Sequence, residues 1–165
     1  MSVIDVIKDV ATLTLTIRAE FSAPVDRVWA LYADPQQLER VWGPPTFPAT
    51  FVTHDLTPGG RCTYYMTGPD GERHGVWWQI TTVDQPNSFS FDEGYATADL
   101  TPDHGMPVAH CVYSFAATDD GGTRATYVTT FDSVDDLQTV LDTGTAEGLR
   151  DAVSQIDEFL GGGIS

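Results

Sequence analysis

The sequence predicts an α+β fold: a curved seven-stranded antiparallel sheet wrapped around a long C-terminal helix, with two short helices after the first strand. Three observations carry this. Apolar residues alternate with period two in short segments between residues 13 and 131. Glycine-rich or proline-containing turns separate those segments into hairpins. After Ser133 the apolar spacing changes to three and four, the period of a helix.

Each element has its own signature. Leu13, Leu15, Ile17, Ala19 and Phe21 alternate with Thr14, Thr16, Arg18 and Glu20, a half-buried strand. Pro24 opens a helix, where its missing N–H costs nothing. Val25, Val28, Trp29 and Tyr32 follow at helical spacing. Asp34-Pro35 stops that helix and starts a second short one through Leu38 and Val41. Trp42 to Pro48 holds three prolines and a glycine and must be a loop.

Strands then run from Thr50 to Leu56, through Cys62, Tyr64 and Met66, and through Val76, Trp78 and Ile80. Gly68-Pro69-Asp70-Gly71 joins the last two as a hairpin. Ser88 to Phe91 forms the next strand, and Glu93 to Pro107 reads as a long, polar and mobile connection. Cys111, Tyr113 and Phe115 lie on one face of a strand. Asp119-Asp120-Gly121-Gly122 turns it into a final strand carrying Ala125, Tyr127, Thr129 and Phe131. Ser133 is an N-cap candidate for a short amphipathic helix to Leu141. A longer helix from Thr145 carries Leu149, Val153, Ile156 and Leu160, and Gly161-Gly162-Gly163 ends it.

Composition narrows the function. The 165 residues contain 24 acids and 8 Lys+Arg, a formal net charge of −16. Residues 1–73 carry a net −3 and residues 74–165 a net −13. The only lysine is Lys8, and no two Lys or Arg residues are neighbours. Such a chain repels phosphate backbones and anionic lipid, so nucleic-acid and membrane partners are excluded. The acid excess reads as a wetted, solubilising surface, with Asp151, Asp157 and Glu158 on the outer back of the terminal helix. Hydrophobic residues make up 41% of the chain, with 18 aromatics, enough for a substantial core. No apolar run is long enough to span a bilayer, and Asp5, Lys8 and Asp9 interrupt the first ten residues. A cytoplasmic protein is expected, as a monomer or homodimer.

Several segments resemble a known family. They are Ala23-Pro24-Val25-Asp26-Arg27-Val28-Trp29, Trp42-Gly43-Pro44, Leu56-Thr57-Pro58-Gly59-Gly60 and Met66-Thr67-Gly68-Pro69-Asp70-Gly71. Met106-Pro107, Gly121-Gly122-Thr123 and Thr143-Gly144-Thr145-Ala146-Glu147-Gly148-Leu149 continue the pattern. In this order they resemble the activator-of-heat-shock-ATPase-homologue branch of the START/SRPBCC superfamily, the birch-pollen-allergen-like helix-grip fold. The resemblance spans roughly residues 12–160. It implies a single helix-grip domain over 12–162, preceded by an N-terminal extension over 1–11. It also implies a cavity between sheet and terminal helix that takes apolar small molecules.

The residues point the same way. A sheet gripping one helix leaves a gap, and the inward aromatics either line it or fill it. Candidate ligand contacts are Trp42 and Phe47 in the proline-rich loop; Tyr64, Met66, Trp78, Phe91, Tyr113 and Tyr127 on the strands; and Leu149, Val153 and Ile156 on the helix. Trp42 serves equally as a rim over a pocket or a plug in the core. No metal site is expected, because His54, His74, His104 and His110 lack ligand spacing. No nucleophile elbow or phosphate-binding glycine loop occurs, and no cofactor is expected. Cys62 and Cys111 read as buried free thiols. No catalytic residue is assigned; His74 and Tyr113 are the acid/base candidates. The first reading is therefore binding of a hydrophobic or aromatic small molecule. The alternatives are an enzyme of the polyketide cyclase or aromatase kind, and a chaperone-associated or stress-related interaction module.

Overall fold

A computed structural model describes residues 3–162. Strand β1 (Val3–Asp9) and strand β2 (Thr14–Phe21) lead into helices α1 (Val25–Ala33) and α2 (Pro35–Leu38). Six strands follow: β3 (Ala49–Thr53), β4 (Arg61–Thr67), β5 (Arg73–Asp84), β6 (Ser88–Ala96), β7 (Ala109–Ala117) and β8 (Thr123–Thr130). Helices α3 (Val134–Asp142) and α4 (Thr145–Gly162) close the chain. All strands join one antiparallel sheet in the order β1-β2-β8-β7-β6-β5-β4-β3.

The sheet thus has eight strands, not the seven expected. The additional one is β1, which pairs with β2 from Val3↔Ala19 to Asp9↔Thr14. It is an edge strand, and its Val6 and Ile7 are both partly exposed, at 37% and 41%. Its sequence therefore lacks the in-out alternation that marks a half-buried strand. A second correction concerns β6. The segment from Glu93 was expected to be a loop, but the ladder continues to Ala96, with Glu93 opposite Trp78 on β5 and Ala109 on β7. Gly94 allows this pairing: a Cβ there would lie 2.3 Å from the Trp77 indole that crosses it.

The local signals that place the helices act as expected. The Asp34 side chain accepts from the Gln36 N–H at 3.0 Å, with Pro35 at the first helical position of α2. Ser133 Oγ accepts from the Asp136 N–H at 3.0 Å and starts α3. On the sheet side, α4 runs closest to β1 and β2. Its 18 residues reach only about 27 Å, whereas eight strands span roughly 34 Å.

The inner face of the sheet and its helices form two apolar clusters. The larger joins α1, α2 and part of α4 (Ala152, Val153, Ile156, Leu160) to strands β2–β8. It contains Trp29 and Tyr32, whose rings meet Phe89 and Phe115 at 5.3–6.4 Å. The smaller holds Leu15, Ala109, Phe131, Leu137, Val140 and Ala146 beneath α3. Cys62 and Cys111 are free and buried. Among the described residues, no helix is long and apolar enough to cross a membrane.

On the outer face, His110 faces solvent but is clamped: Nδ1 lies 2.7 Å from Asp92 Oδ1 and Nε2 3.0 Å from Asp132 Oδ1. The hydrogen bond with Asp92, then that with Asp132, holds its pKa above the usual histidine value despite partial burial. A raised folded-state pKa stabilises fully below the unfolded value, about 6.5, and that contribution is lost as pH rises through the folded value. His110→Gln is expected to melt lower than the parent near pH 5.5, with the gap narrowing toward pH 8. Parallel thermal melts across that range check this, and a constant gap would contradict it.

Candidate functional site

The two clusters do not meet. Between them lies a cavity of about 900 Å³, walled by members of both: Tyr64, Val76, Tyr113 and Ala152 from the larger, Leu15, Phe131 and Val140 from the smaller. Leu149 closes it from α4. Exposed residues of the β4–β5 turn, the 97–106 segment and the α3–α4 junction ring its mouth.

The loop after α2 forms one lip. Trp42 is buried with its ring 5.9 Å from both Trp78 and Tyr113, and its indole N–H donates to the Tyr64 hydroxyl at 3.2 Å. Trp42 is therefore both plug and rim. Gly43 and Pro44 continue the lip, and Gln155 of α4 donates to the Val41 and Gly43 carbonyls at 3.1 and 2.7 Å. The chain folds back so closely that a Cβ on Gly43 would sit 2.0 Å from the Phe47 carbonyl oxygen.

The aromatic handles inside are mostly paired. Tyr32 and Tyr127 share a hydrogen bond of 2.7 Å; burial, reinforced by Tyr127, drives the Tyr32 phenol well above its usual pKa. Among the described residues, no sealed side-chain polar atom lacks a partner. The Tyr113 hydroxyl makes no hydrogen bond there, so it is left open to the cavity its ring lines. Burial holds the Tyr64 and Tyr113 phenols well above their usual pKa, so both remain neutral donors.

Beside them stands Glu93, a residue that the sequence reading assigned to a polar loop. Its Oε2 accepts from Trp78 Nε1–H at 2.9 Å, while its Oε1 meets only the weak Cys111 thiol donor, at 4.0 Å. Burial raises its carboxyl from the ordinary glutamate range to about 7, against the opposing pull of the Trp78 N–H. The site therefore holds a carboxyl that exchanges its proton near neutral pH. The signal was present in the sequence: Phe89, Phe91, Glu93 and Tyr95 share one parity, so continuing the strand puts Glu93 inward.

Of the residues singled out from sequence, Trp42, Phe47, Tyr64, Met66, Tyr113 and Leu149 line the cavity. His74 stands exposed at its mouth, 3.8 Å from Glu72 and 5.6 Å from the Phe47 ring. Trp78, Phe91, Tyr127, Val153 and Ile156 instead lie within the larger cluster, behind the wall. Trp78 and Phe91 are stacked on one another at 4.4 Å and face each other, not open space. Two acids also differ from expectation: Asp151 borders the cavity, and Asp157 accepts from the Ser22 N–H at 3.0 Å, tying α4 to the end of β2. Among the described residues, no cluster of side chains could hold a metal ion. Both thiols are held protonated by burial, Cys62 at about 11 and Cys111 well above its usual value, so neither is a ready nucleophile.

This cavity, set between an antiparallel sheet and a terminal helix and open at its mouth, is accompanied by a sequence match. The model for the family described as Activator of Hsp90 ATPase homolog 1-like protein matches residues 22–161. The chain belongs to this family. Protein Ms6760 from Mycobacterium smegmatis is 59% identical, with a TM-score of 0.89 over 96% of each chain. A protein from Arthrobacter aurescens is 46% identical, with a TM-score of 0.91 over 97% of this chain and 92% of that one. The AHSA1 protein from Silicibacter pomeroyi, at 20% identity and a TM-score of 0.73 over 90% and 97%, shares the fold. No curated protein sequence matches the chain.

Within this family member, the part-buried Glu93 carboxyl carries a pH signature. Its folded pKa is raised, so its favourable contribution is complete below about pH 4.5 and is lost as pH climbs to about 7. Above that, a part-desolvated carboxylate is held with the Trp78 N–H as its one strong donor. Glu93→Gln keeps an acceptor for Trp78 without the charge. Chemical denaturation should show the variant gaining on the parent as pH rises from 4.5 to 8, by on the order of 2 kcal/mol. A pH-independent difference would mean that the carboxyl is well solvated.

Proposed function

We propose that the chain binds a hydrophobic or aromatic small molecule in the cavity between the sheet and α4. The observation that carries this reading is the unfilled space of about 900 Å³ where the two clusters fail to meet. It lies within the usual size of ligand sites, about 300–1,000 Å³. Such sites combine apolar walls with a few fixed polar groups, and here Tyr113 and Glu93 supply them. Leu149, Tyr64 and Met66 would contact the ligand body, with Trp42 and Phe47 closing over it. Trp78, Phe91, Tyr127, Val153 and Ile156 stiffen the wall from behind.

One observation favours a second reading, catalysis of the cyclase or aromatase kind. Glu93 can give or take a proton near neutral pH, and it lines the same cavity as Tyr113. Turnover of a poly-β-ketone that survives the double change Glu93→Gln and Tyr113→Phe would exclude that assignment.

The binding reading has a variant that fills the site without removing a contact. Gly148 lies on α4 at the cavity wall, and a Cβ there would meet only Pro44 Cγ, at an ordinary 3.5 Å. Gly148→Leu therefore projects into the space while replacing a helical glycine. In a thermal-shift screen of aromatic compounds, a ligand at a hundredfold excess over its Kd adds about 2.7 kcal/mol, a rise of roughly 5–10 °C. Such shifts are expected for the parent and lost in Gly148→Leu, which itself melts no lower than the parent. Undiminished shifts in the variant would place binding elsewhere.

A further inference from the structure

We propose that the cavity selects hydrophobic amines, with the ligand's ammonium seated on the Glu93 carboxyl and its apolar body against Tyr113, Leu149 and Ala109. The proposal rests on the ligand-binding reading above and adds the chemical class of the ligand.

The first ground is the unused capacity of Glu93. An ionised carboxylate offers about four lone-pair sites. One is taken by the Trp78 N–H, and the Cys111 thiol, at 4.0 Å, is a weak donor to the other oxygen. Glu93 forms no ion pair among the described residues. A part-buried carboxylate without a cation is costly, and an incoming ammonium supplies the missing partner.

The second ground is the field inside the cavity. The titratable side chains facing Glu93 are Tyr64 from β4 and Cys111 and Tyr113 from β7. Burial keeps all three protonated, so none supplies a positive charge. Toward the mouth, α4 contributes Asp151 and the 97–106 segment Asp103. The β4–β5 turn contributes Glu72, and the first residues of β5 contribute Arg73 and His74. Both basic groups are exposed and engaged there, Arg73 over the Tyr65 ring at 4.3 Å and His74 near Glu72. Asp92, next in sequence, belongs to the opposite face with His110. The interior thus presents negative charge and neutral donors. A carboxylate ligand would be repelled, a neutral one tolerated and a cation attracted. The net charge of −16 adds long-range steering of the same sign.

The test is calorimetric titration of the full chain with three matched probes: 2-naphthylmethylamine, 2-naphthylmethanol and 2-naphthoate. At pH 8 the amine is expected to bind at least tenfold tighter than the alcohol, with the naphthoate weakest. The amine stays protonated between pH 8 and pH 6, yet its affinity should fall about tenfold as Glu93 takes up a proton. Glu93→Gln should erase both the preference and the pH dependence, leaving the alcohol's affinity within twofold. Equal affinities for amine and alcohol, or a preference that survives Glu93→Gln, would overturn the amine assignment and leave the binding cavity standing. The same holds if naphthoate binds tightest. If none of the three binds, the binding reading falls, and the amine assignment falls with it.

Discussion

The architecture depends on one mismatch of size. A single 18-residue helix cannot cover the inner face of an eight-stranded sheet. Apolar strand residues that α4 does not reach must be shielded by something else. At one side α1 and α2 do this with Trp29, Tyr32 and Leu38; at the other, α3 does it with Leu137 and Val140. Each addition builds its own cluster, and the space between them is closed by side chains at its walls but not filled. The cavity is thus a consequence of how the sheet is covered.

Keeping that space open requires rigid walls, and the aromatic residues supply them. Tyr113 lies near the centre, within 4.6–6.3 Å of Tyr127, Phe91, Phe89, Trp42 and Trp78. Their polar tips are satisfied in pairs: Tyr32 with Tyr127, Trp42 with Tyr64, and Trp78 with Glu93. These pairs fix ring orientations, since a broken buried hydrogen bond costs about 1–3 kcal/mol. Collapse of the cavity would have to break several at once. What remains unpaired, the Tyr113 hydroxyl and part of the Glu93 carboxylate, is the polar equipment of the site.

Much of this was legible in the sequence. Period-two alternation places Tyr64 and Tyr113 inward, and the changed period after Ser133 marks the two terminal helices. The edge strand β1 was not, because its exposed Val6 and Ile7 break the alternation that marks a half-buried strand. Glu93 was missed for a different reason. A charged residue next to Asp92 suggests a loop, and only the ladder to Trp78 and Ala109 reveals the strand. Parity also cannot separate a cavity wall from the layer behind it. Trp78, Phe91 and Tyr127 point inward as Tyr64 and Tyr113 do, but neighbours on α1 and the Trp42 loop seal them. The acidity changes meaning in the same way: most of it wets the surface, while Glu93 sits where charge is costly and therefore selective.

The central claim is that an apolar molecule occupies the seam between the two clusters. The most direct measurement is a crystal structure after soaking with a brominated naphthalene, with anomalous scattering used to locate the bromine. A bromine peak is expected inside the cavity, among Tyr113, Leu149 and Ala109, with Trp78, Val153 and Ile156 unmoved behind the wall. A peak only on the outer surface of the sheet, or a seam closed by inward movement of Trp42 and Leu149, would contradict it.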